Sequence, residues 1–233
     1  VILLDNNLQK LNELKNKISD LCIHCDVTNK KSIKSAFKQI CEKFGGIDIC
    51  INNASAISLT PTMQTPMKRF DLMQQVNTRG TFLVSQTCIP YLMKSNNPHI
   101  LNLSPPLNLN PRWFGPHSAY TIAKYGMSMC VLGMAGEFKE QGIAVNALWP
   151  RTAIATAAVK NLLGGDEMIK HSRKPEIMAD AIWKIVNEDP KEFTGNQLID
   201  EDYLRSKGVS DFSKYQVIEG SEPPKLMDLF NRV

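Results

Sequence analysis

The sequence predicts a single-domain, doubly wound α/β fold, in which helices cover both faces of a parallel sheet. Three observations predict it. Apolar runs of strand length alternate with helical patterns from the first residue onward, the helical patterns are mostly about ten residues or longer, and the chain has 233 residues. Helices of that length are the crossovers that parallel strands require, and one domain is common for a chain of this size.

The first strand and helix follow from hydrophobic spacing. Residues 1–4 form an apolar run that ends in Asp5, and Leu8, Leu11, Leu14 and Ile18 then recur at helical spacing. The same criteria predict strands at 21–24, 47–51, 100–103, 143–148 and 193–199, and helices at 33–44, 66–93, 119–138 and 175–186, with a further helical region after 156. The stretch 104–117 contains four prolines and is predicted to be a loop beside a site.

Composition narrows the class of protein. The chain is 43% hydrophobic and 21% charged, which is too apolar for intrinsic disorder. Its net charge of +4 without a basic run argues against nucleic acid as a partner, and the absence of an apolar run of about 18 residues argues against a membrane span. We expect a small-molecule partner, a domain at 1–204 and a peripheral polar extension at 205–233.

The six cysteines indicate a reducing compartment. All lie in apolar segments, as buried thiols of intracellular proteins do, so we expect the cytosol. Mitochondrial and peroxisomal locations stay open, because the start of the protein is expected to be missing. Cys22 and Cys25 have the spacing of a metal or redox motif, but a strand would point them to opposite faces. A structural role is therefore favoured and no metal is expected.

Tyr120 and Lys124 are candidates for proton transfer, although their spacing alone favours a surface pair. They lie four residues apart on a predicted helix and share one face. An ammonium about 4 Å from a phenolate contributes roughly 4 kcal/mol at an effective dielectric constant of about 20, enough to lower a tyrosine pKa by about three units. Such a pair can exchange a proton with an alcohol or carbonyl oxygen, provided that a cofactor carries the hydride.

Further motifs along the chain support the interpretation of Tyr120 and Lys124 as a proton-transferring pair. In chain order they are Asp26-Val27, Asn52-Asn53-Ala54, Asn77, Tyr120-x-x-x-Lys124 and Asn146-Ala147-Leu148-Trp149-Pro150. Together these motifs resemble the short-chain dehydrogenase/reductase family, which has a Rossmann-like fold. The resemblance implies an NAD(P)-dependent oxidoreductase in which Tyr120 is the general acid/base, Lys124 lowers its pKa and holds the nicotinamide ribose, and Asn77 anchors a water leading to Lys124. From the residues alone, Asn77 capping a helix kink is an equal alternative.

The resemblance also implies a cofactor site at the ends of the strands. One of its motifs has an alternative interpretation, since Asn52-Asn53 is also a common strand-ending turn. Besides Tyr120 and Lys124, the implied contacts are Asp26 and Val27 near the adenine, Asn52 and Ala54 after the third strand, and Pro150 and Thr152 against the nicotinamide, with Ile154 and Thr156 nearby.

Asp5 indicates which dinucleotide is bound. It ends the strand that the family places second, where a carboxylate accepts hydrogen bonds from a ribose hydroxyl and repels the 2′-phosphate of NADP. We therefore expect NAD as the cofactor. A compatible alternative is that Asp5 caps the following helix.

The sequence departs from the family at its catalytic serine. That position is Pro105 here, and Ser104 lies one residue earlier. A backbone shift around Pro105 and Pro106 would present the Ser104 hydroxyl to a substrate oxygen, so Ser104 is the candidate. Ser118 or a backbone N–H is the alternative.

The second departure is the glycine-rich turn that holds the dinucleotide pyrophosphate after the family's first strand. The sequence contains no such turn. Because the missing strand is central in the family's order, the strand at 1–4 would lack a partner linking it to the strand at 47–51. We expect that the first strand, turn and helix are absent and that the chain is a fragment of a longer protein.

Three functions are compatible with the residues. The first is an NAD-dependent oxidoreductase acting on a lipid-like alcohol or carbonyl, as a homodimer or homotetramer formed through the helices around Asn77 and Tyr120. The second is a catalytically impaired homologue that serves as a binding or assembly scaffold, against which the intact Tyr120 and Lys124 pair argues. The third is a nucleotide-sugar epimerase, against which the short region after Pro150 argues.

The loop also carries four large apolar residues, which are expected either to line an apolar pocket or to pack in the loop. They are Leu107, Leu109, Trp113 and Phe114.

Overall fold

The structure, a computed structural model, describes residues 1–15 and 21–221. Within these ranges the strands are β1 (Ile2–Asp5), β2 (Leu21–His24), β3 (Ile49–Asn52), β4 (His99–Leu103), β5 (Ala144–Trp149) and β6 (Gln197–Ile199). The helices are α1 (Leu8–Leu14), α2 (Lys30–Phe44), α3 (Met67–Met73), α4 (Gly80–Leu92), α5 (Ser118–Glu137), α6 (Ala157–Val159), α7 (Gly165–Lys170), α8 (Glu176–Ile185) and α9 (Asp200–Ser206).

The predicted α/β alternation is confirmed, with two main differences. The helical region predicted at 66–93 is divided, because a π-helical turn, Gln74–Arg79, separates α3 from α4. The last strand begins four residues late, at Gln197, because the chain turns at Gly195, whose φ is +78°. Ile18, predicted for the first helix, lies outside the described residues.

The strands pair in parallel but form two separate ladders. β1 pairs with β2, and the second ladder has the order β3-β4-β5-β6. No strand in the described part of the chain joins β1 to β3. The prediction that the first strand lacks a partner linking it to the third is therefore confirmed.

Helices cover both faces of the second ladder. On one face, α2, α4 and α5 pack on residues such as Ile100 and Val145, and the same apolar cluster extends to Ile23 of β2. On the other face, α8 and α9 pack on Leu101 and Leu148. The two ladders therefore share one core. The described helices include none that is long and apolar enough to cross a lipid bilayer.

The domain boundary expected at residue 204 needs correction. It falls inside α9, and Phe212 and Tyr215 beyond it are buried in the same cluster as Leu204. The extension is therefore packed on the domain as far as residue 221, because its aromatic side chains complete the core beside α8. Residues 222–233 lie outside the described residues.

The cysteines are all free thiols. Cys22 lies in β2 and is partly buried, whereas Cys25 follows the strand and is buried, with a pKa raised by burial. The cytosolic location stays a prediction.

Candidate active site

The site lies where the parallel strands end. Within each ladder the carboxyl ends share one edge, which is where open α/β sheets bind ligands. Residues at or just beyond these ends are Asp5, Asp26, Asn52, Ser104, Pro150 and Asp200. Five of them were predicted from the sequence, and Asp200 was not.

Tyr120 and Lys124 lie together in the first half of α5, and both are buried, with 4% and 3% of their surface exposed. The Lys124 Nζ donates a hydrogen bond to the Leu103 carbonyl oxygen at 2.8 Å. It also lies 5.2 Å from the centre of the Trp149 ring. The lysine is thereby held at the ends of β4 and β5, and the two side chains are not a surface pair.

Burial changes the charge of Lys124. Loss of hydration lowers the pKa of its ammonium to about 7, because a charged group is disfavoured in an apolar interior. Near neutral pH the side chain is thus poised between its charged and neutral forms. An anion or oxygen acceptor placed at Nζ would favour the charged form.

Ser104 lies at the end of β4 and carries a buried, unpaired hydroxyl. It is fully buried, and its Oγ has no hydrogen-bond partner in the structure. An unpaired buried hydroxyl costs about 1–3 kcal/mol. The alternative residue, Ser118, donates its hydroxyl to the Phe114 carbonyl oxygen at 2.8 Å, so of these two hydroxyls only the one at Ser104 has no hydrogen-bond partner.

The loop that follows Ser104 is held by α5. The Ser128 hydroxyl donates to the Pro105 carbonyl oxygen at 2.6 Å, and the Tyr125 hydroxyl donates to the Asn108 carbonyl oxygen at 2.8 Å. The helix that carries Tyr120 and Lys124 therefore also fixes the backbone next to Ser104.

The apolar residues of this loop mostly pack inward. Trp113 is buried in a cluster with Tyr120, and Leu107 and Phe114 are partly buried against that cluster. Leu109 is 76% exposed. Packing is thus the favoured interpretation for three of these residues, since their contacts are with the protein's own apolar side chains.

Asn77 lies in the π-helical turn and connects it to the segment after β3. Its Oδ1 accepts a hydrogen bond from the Ala56 N–H at 2.7 Å, and its Nδ2 donates to the Ala56 carbonyl oxygen at 2.9 Å. The side chain therefore ties the π-helical turn to a distant segment, and its bonds do not cap the helix kink, which was the alternative interpretation. Its participation in a water relay to Lys124 stays a prediction.

Asp5 is exposed at the end of β1, and its Oδ1 accepts a hydrogen bond from the Asn7 N–H at 2.8 Å. The interpretation of Asp5 as the helix cap is corrected, because the N-cap of α1 is Asn7, whose side chain accepts from the Lys10 N–H. The Asp5 carboxylate therefore stands at the edge of the first ladder, open to solvent.

Asp26 and Val27 are engaged locally. The Asp26 Oδ1 accepts hydrogen bonds from the Thr28 N–H and hydroxyl, both at 2.8 Å. The Val27 side chain fills the space beside Gly80, where an added Cβ would lie 3.1 Å from the Val27 Cγ2. Both residues shape the turn after β2, and Gly80 allows α4 to approach that turn.

Asn52 joins β3 to its neighbours, whereas Ala54 is exposed beyond the strand. The Asn52 Nδ2 donates to the Ser85 hydroxyl at 3.0 Å and to the Asn102 Oδ1 at 2.8 Å. Asn102 in turn donates to the Met127 carbonyl oxygen in α5. Asn52 is thus a buried link from β3 through β4 to the site helix.

The segment that follows β5 is anchored to the end of β6. Pro150 is partly buried and Thr152 is buried, and between them the Arg151 N–H donates to the Asp200 Oδ1 at 2.8 Å. Ile154 is partly buried, and Thr156 caps α6. Burial raises the pKa of Asp200 to about 7. A carboxylate directly after the last predicted strand was the available sequence signal for this residue.

Comparison with known proteins identifies the family. A family model described as enoyl-(acyl carrier protein) reductase matches residues 1–184. The proteins named hydroxysteroid dehydrogenase-like protein 2 of Danio rerio and Bos taurus are 62% and 60% identical over 205 residues, which are 88% of this chain and 48% of each relative. The chain thus spans about half the length of the curated relatives it matches.

Solved structures of dehydrogenases are similar to this chain as well. A putative dehydrogenase from Xanthomonas campestris superposes with a TM-score of 0.84 at 48% identity, covering 89% of this chain and 76% of that one. A short chain dehydrogenase from Mycobacterium thermoresistibile superposes with a TM-score of 0.81 at 50% identity, covering 89% and 74%. The parallel sheet, the tyrosine and lysine on one helix, and these similarities together show that the chain belongs to the short-chain dehydrogenase/reductase family of oxidoreductases.

Proposed function

We propose that the protein interconverts an alcohol and a carbonyl compound with NAD(H), and that Tyr120 is the general acid/base. The observation that supports this most is the arrangement around α5. Tyr120 and Lys124 are buried on one helix, the Lys124 ammonium meets the end of β4, and the unpartnered Ser104 hydroxyl is the next residue along that strand.

In the oxidation direction, the substrate carbon loses a hydride and the substrate oxygen loses a proton, so that a carbonyl forms. The bound nicotinamide supplies the capacity to accept the hydride. The Tyr120 phenolate takes the proton, while the charged form of Lys124 stabilises that phenolate. The Ser104 hydroxyl donates a hydrogen bond to the substrate oxygen, and reduction uses the same groups with the proton returned from the phenol.

The described residues fit two parts of a dinucleotide. The exposed Asp5 carboxylate suits an adenosine ribose hydroxyl and disfavours a 2′-phosphate, which supports NAD over NADP. The segment from Pro150 to Thr156 and the buried Lys124 suit the nicotinamide end. The glycine-rich turn that holds the pyrophosphate in this family does not occur among the described residues, so no residue is assigned to the pyrophosphate.

We also propose a lipid-like substrate. The relatives named hydroxysteroid dehydrogenase-like protein 2 support this class. In this chain, Leu107 and Phe114 pack against the same apolar cluster as Tyr120. An apolar substrate would meet side chains of matching character at the mouth of that cluster.

The exposed surface of α4 and α5 supports a homodimer or homotetramer. Phe82 on α4 and Ile122, Met129 and Leu132 on α5 are large apolar side chains that are each about half exposed. The three on α5 recur at helical spacing, and apolar side chains grouped on a surface mark interaction sites.

Pro105, at the position of the family's catalytic serine, favours a second candidate function, a scaffold without catalysis. Such a scaffold keeps the fold but binds no dinucleotide. Titration of the chain with NADH distinguishes the two functions, because a scaffold gives no saturable binding.

Tyr120→Phe tests the proposed catalysis. We expect NADH to bind the variant as tightly as it binds the wild type, and to bind both more tightly than NADPH does. Turnover of long-chain secondary alcohols by the variant should fall by about 10²–10⁴-fold, because the proton acceptor is lost. Binding is measured by fluorescence titration and turnover by NADH formation. Tyr91→Phe, on α4 and outside the site, is the matched control. Equal turnover in Tyr120→Phe would remove Tyr120 from its role, and a wild type that binds neither dinucleotide would overturn the proposed function.

A further inference from the structure

The segment 150–156 follows β5 and, in the proposed function, forms the wall against the nicotinamide. It is a turn-rich stretch that precedes α6. A wall of this kind needs contacts from elsewhere in the fold to hold one conformation, because a short non-helical segment has few hydrogen bonds of its own.

Asp200 supplies one of these contacts. It is the first residue of α9, immediately after β6, and 1% of its surface is exposed. Its Oδ1 accepts hydrogen bonds from the Arg151 N–H at 2.8 Å and from the Glu201 N–H at 2.7 Å. One carboxylate oxygen thus joins the start of the segment to the start of a helix.

Glu201 and Arg173 supply the second contact. Their side chains form a buried ion pair at 3.2 Å, and Arg173 also donates to the Phe212 carbonyl oxygen. The Arg173 backbone lies along the segment, where its N–H donates to the Ala153 carbonyl oxygen and its carbonyl accepts from the Ala155 N–H, both at 2.9 Å. The first two residues of α9 therefore hold both the beginning and the middle of the segment.

A nearby surface contact provides a contrast. The Arg151 guanidinium also pairs with Asp202, but both side chains are substantially exposed. Exposed ion pairs contribute little to stability, so this contact is expected to matter less than the buried bond from the Arg151 N–H to Asp200.

We propose that Asp200 is a positioning residue for dinucleotide binding, which acts by holding the Arg151 backbone and with it the segment 150–156. This inference rests on the proposed function. It assigns Asp200 no contact with substrate or cofactor, and its effect reaches the site through the segment.

The titration of Asp200 offers a specific readout. Burial, partly offset by the two backbone hydrogen bonds, raises its pKa to about 7. The charged groups that face it are Arg151 on the segment and Glu201 on its own helix, and Arg173 stands behind Glu201. Protonation replaces a charged acceptor by a weaker neutral one, so the hold on Arg151 weakens as the pH falls through about 7.

The experiment compares Asp200→Ala, Asp200→Asn and the matched control Asp202→Ala in the full chain. Hydrogen exchange of a peptide covering 150–156 reports the hold on the segment, and a peptide from α5 reports global unfolding. In Asp200→Ala we expect faster exchange at 150–156 alone and a KM for NAD raised about tenfold, with kcat within about twofold. In Asp200→Asn, which keeps a neutral acceptor, we expect partial recovery. In the wild type, protection of the segment falls below about pH 7, and in Asp200→Asn it does not.

The outcomes separate the two proposals. If wild type binds NADH but Asp200→Ala changes neither exchange at 150–156 nor the KM, the positioning role is overturned and the proposed function stands. The role also fails if Asp202→Ala reproduces the effects, or if the pH dependence persists in Asp200→Asn. If wild type binds no dinucleotide, the proposed function fails and the positioning role for binding fails with it.

Discussion

Lys124 shows how burial alone can prepare a side chain for chemistry. Its pKa of about 7 arises from lost hydration, whereas the sequence suggested only that it would be near a tyrosine. At neutral pH a buried ammonium is costly for folding, so the charged form of Lys124 lowers the stability of the fold.

The stability of the protein should consequently depend on pH through this residue. The folded pKa of Lys124 lies below its unfolded value of 10.5, so the unfolded state binds the proton more tightly. The contribution of Lys124 to the free energy of unfolding therefore rises between about pH 7 and pH 10.5, by at most about 1.4 kcal/mol per pH unit.

Lys124→Met should remove this contribution. We expect urea unfolding to show a variant more stable than wild type at pH 7, with an advantage that shrinks toward pH 10. The exposed Lys139→Met serves as the control and should follow the wild-type profile. An advantage of Lys124→Met that does not change with pH would show that packing, and not the charge, is responsible.

At the scale of single residues, the sequence predicted which positions lie at the strand ends but not what each side chain contacts. Asn52 bonds Ser85 and Asn102, and Asn77 bonds the Ala56 backbone. These partners lie tens of residues away in the chain. Local spacing carries no information about such pairs, because the tertiary fold decides which groups become neighbours.

At the scale of elements, the π-helical turn and α5 approach each other closely. The Thr78 hydroxyl, on the turn, donates to the Ala123 carbonyl oxygen on α5 at 3.0 Å. Gly126, one turn further along α5, leaves room for Thr78, since an added Cβ would lie 2.6 Å from the Thr78 Cγ2. The glycine therefore permits the close contact between α5 and the π-helical turn.

Gly126→Ala should thus strain this packing. We expect a loss of about 1–3 kcal/mol in the free energy of unfolding, the usual range for overpacking a tight contact, measured by urea denaturation. When Thr78 is already replaced by Ala, Gly126→Ala should cost much less free energy of unfolding than it costs in the wild type. An additive double variant would contradict direct contact between the two positions.

The divided helical region also shows a limit of periodicity. The pattern from 66 to 93 is helical throughout, and the chain is helical in a broad sense, but six residues adopt the wider π-turn. That turn brings Asn77 to the Ala56 backbone. A helical hydrophobic pattern does not distinguish an α-turn from a π-turn, because the difference lies in which carbonyl each N–H meets.

At the scale of the whole molecule, the two ladders share an apolar cluster but no strand pairing. Ile49 and Ile51 of β3 are 37% and 44% exposed on the face opposite that cluster. A central strand of a doubly wound sheet is normally covered on both faces. The edge of β3 is therefore the part of the second ladder that is least covered.

The surface of α4 and α5 predicts self-association. We expect wild type to run as a dimer or tetramer in light scattering after size-exclusion chromatography, and Met129→Lys combined with Leu132→Lys to shift it toward the monomer, since two like charges would be buried without partners. Leu162→Lys, an exposed apolar residue outside this surface, is the control. A monomeric wild type would contradict the proposed assembly.

By itself, the sequence determined the alternation of strands and helices, the placement of Tyr120 and Lys124 on one helix, and the lack of pairing between β1 and β3. These features depend on local periodicity and on chain order. Only the tertiary structure decided that Ser104 is buried without a partner, that Trp113 packs inward, and that Asp200 holds Arg151. Each of these findings depends on which distant segments of the chain come into contact and on how much water they exclude. The spacing of neighbouring residues in the sequence does not predict either the contacts or the exclusion of water.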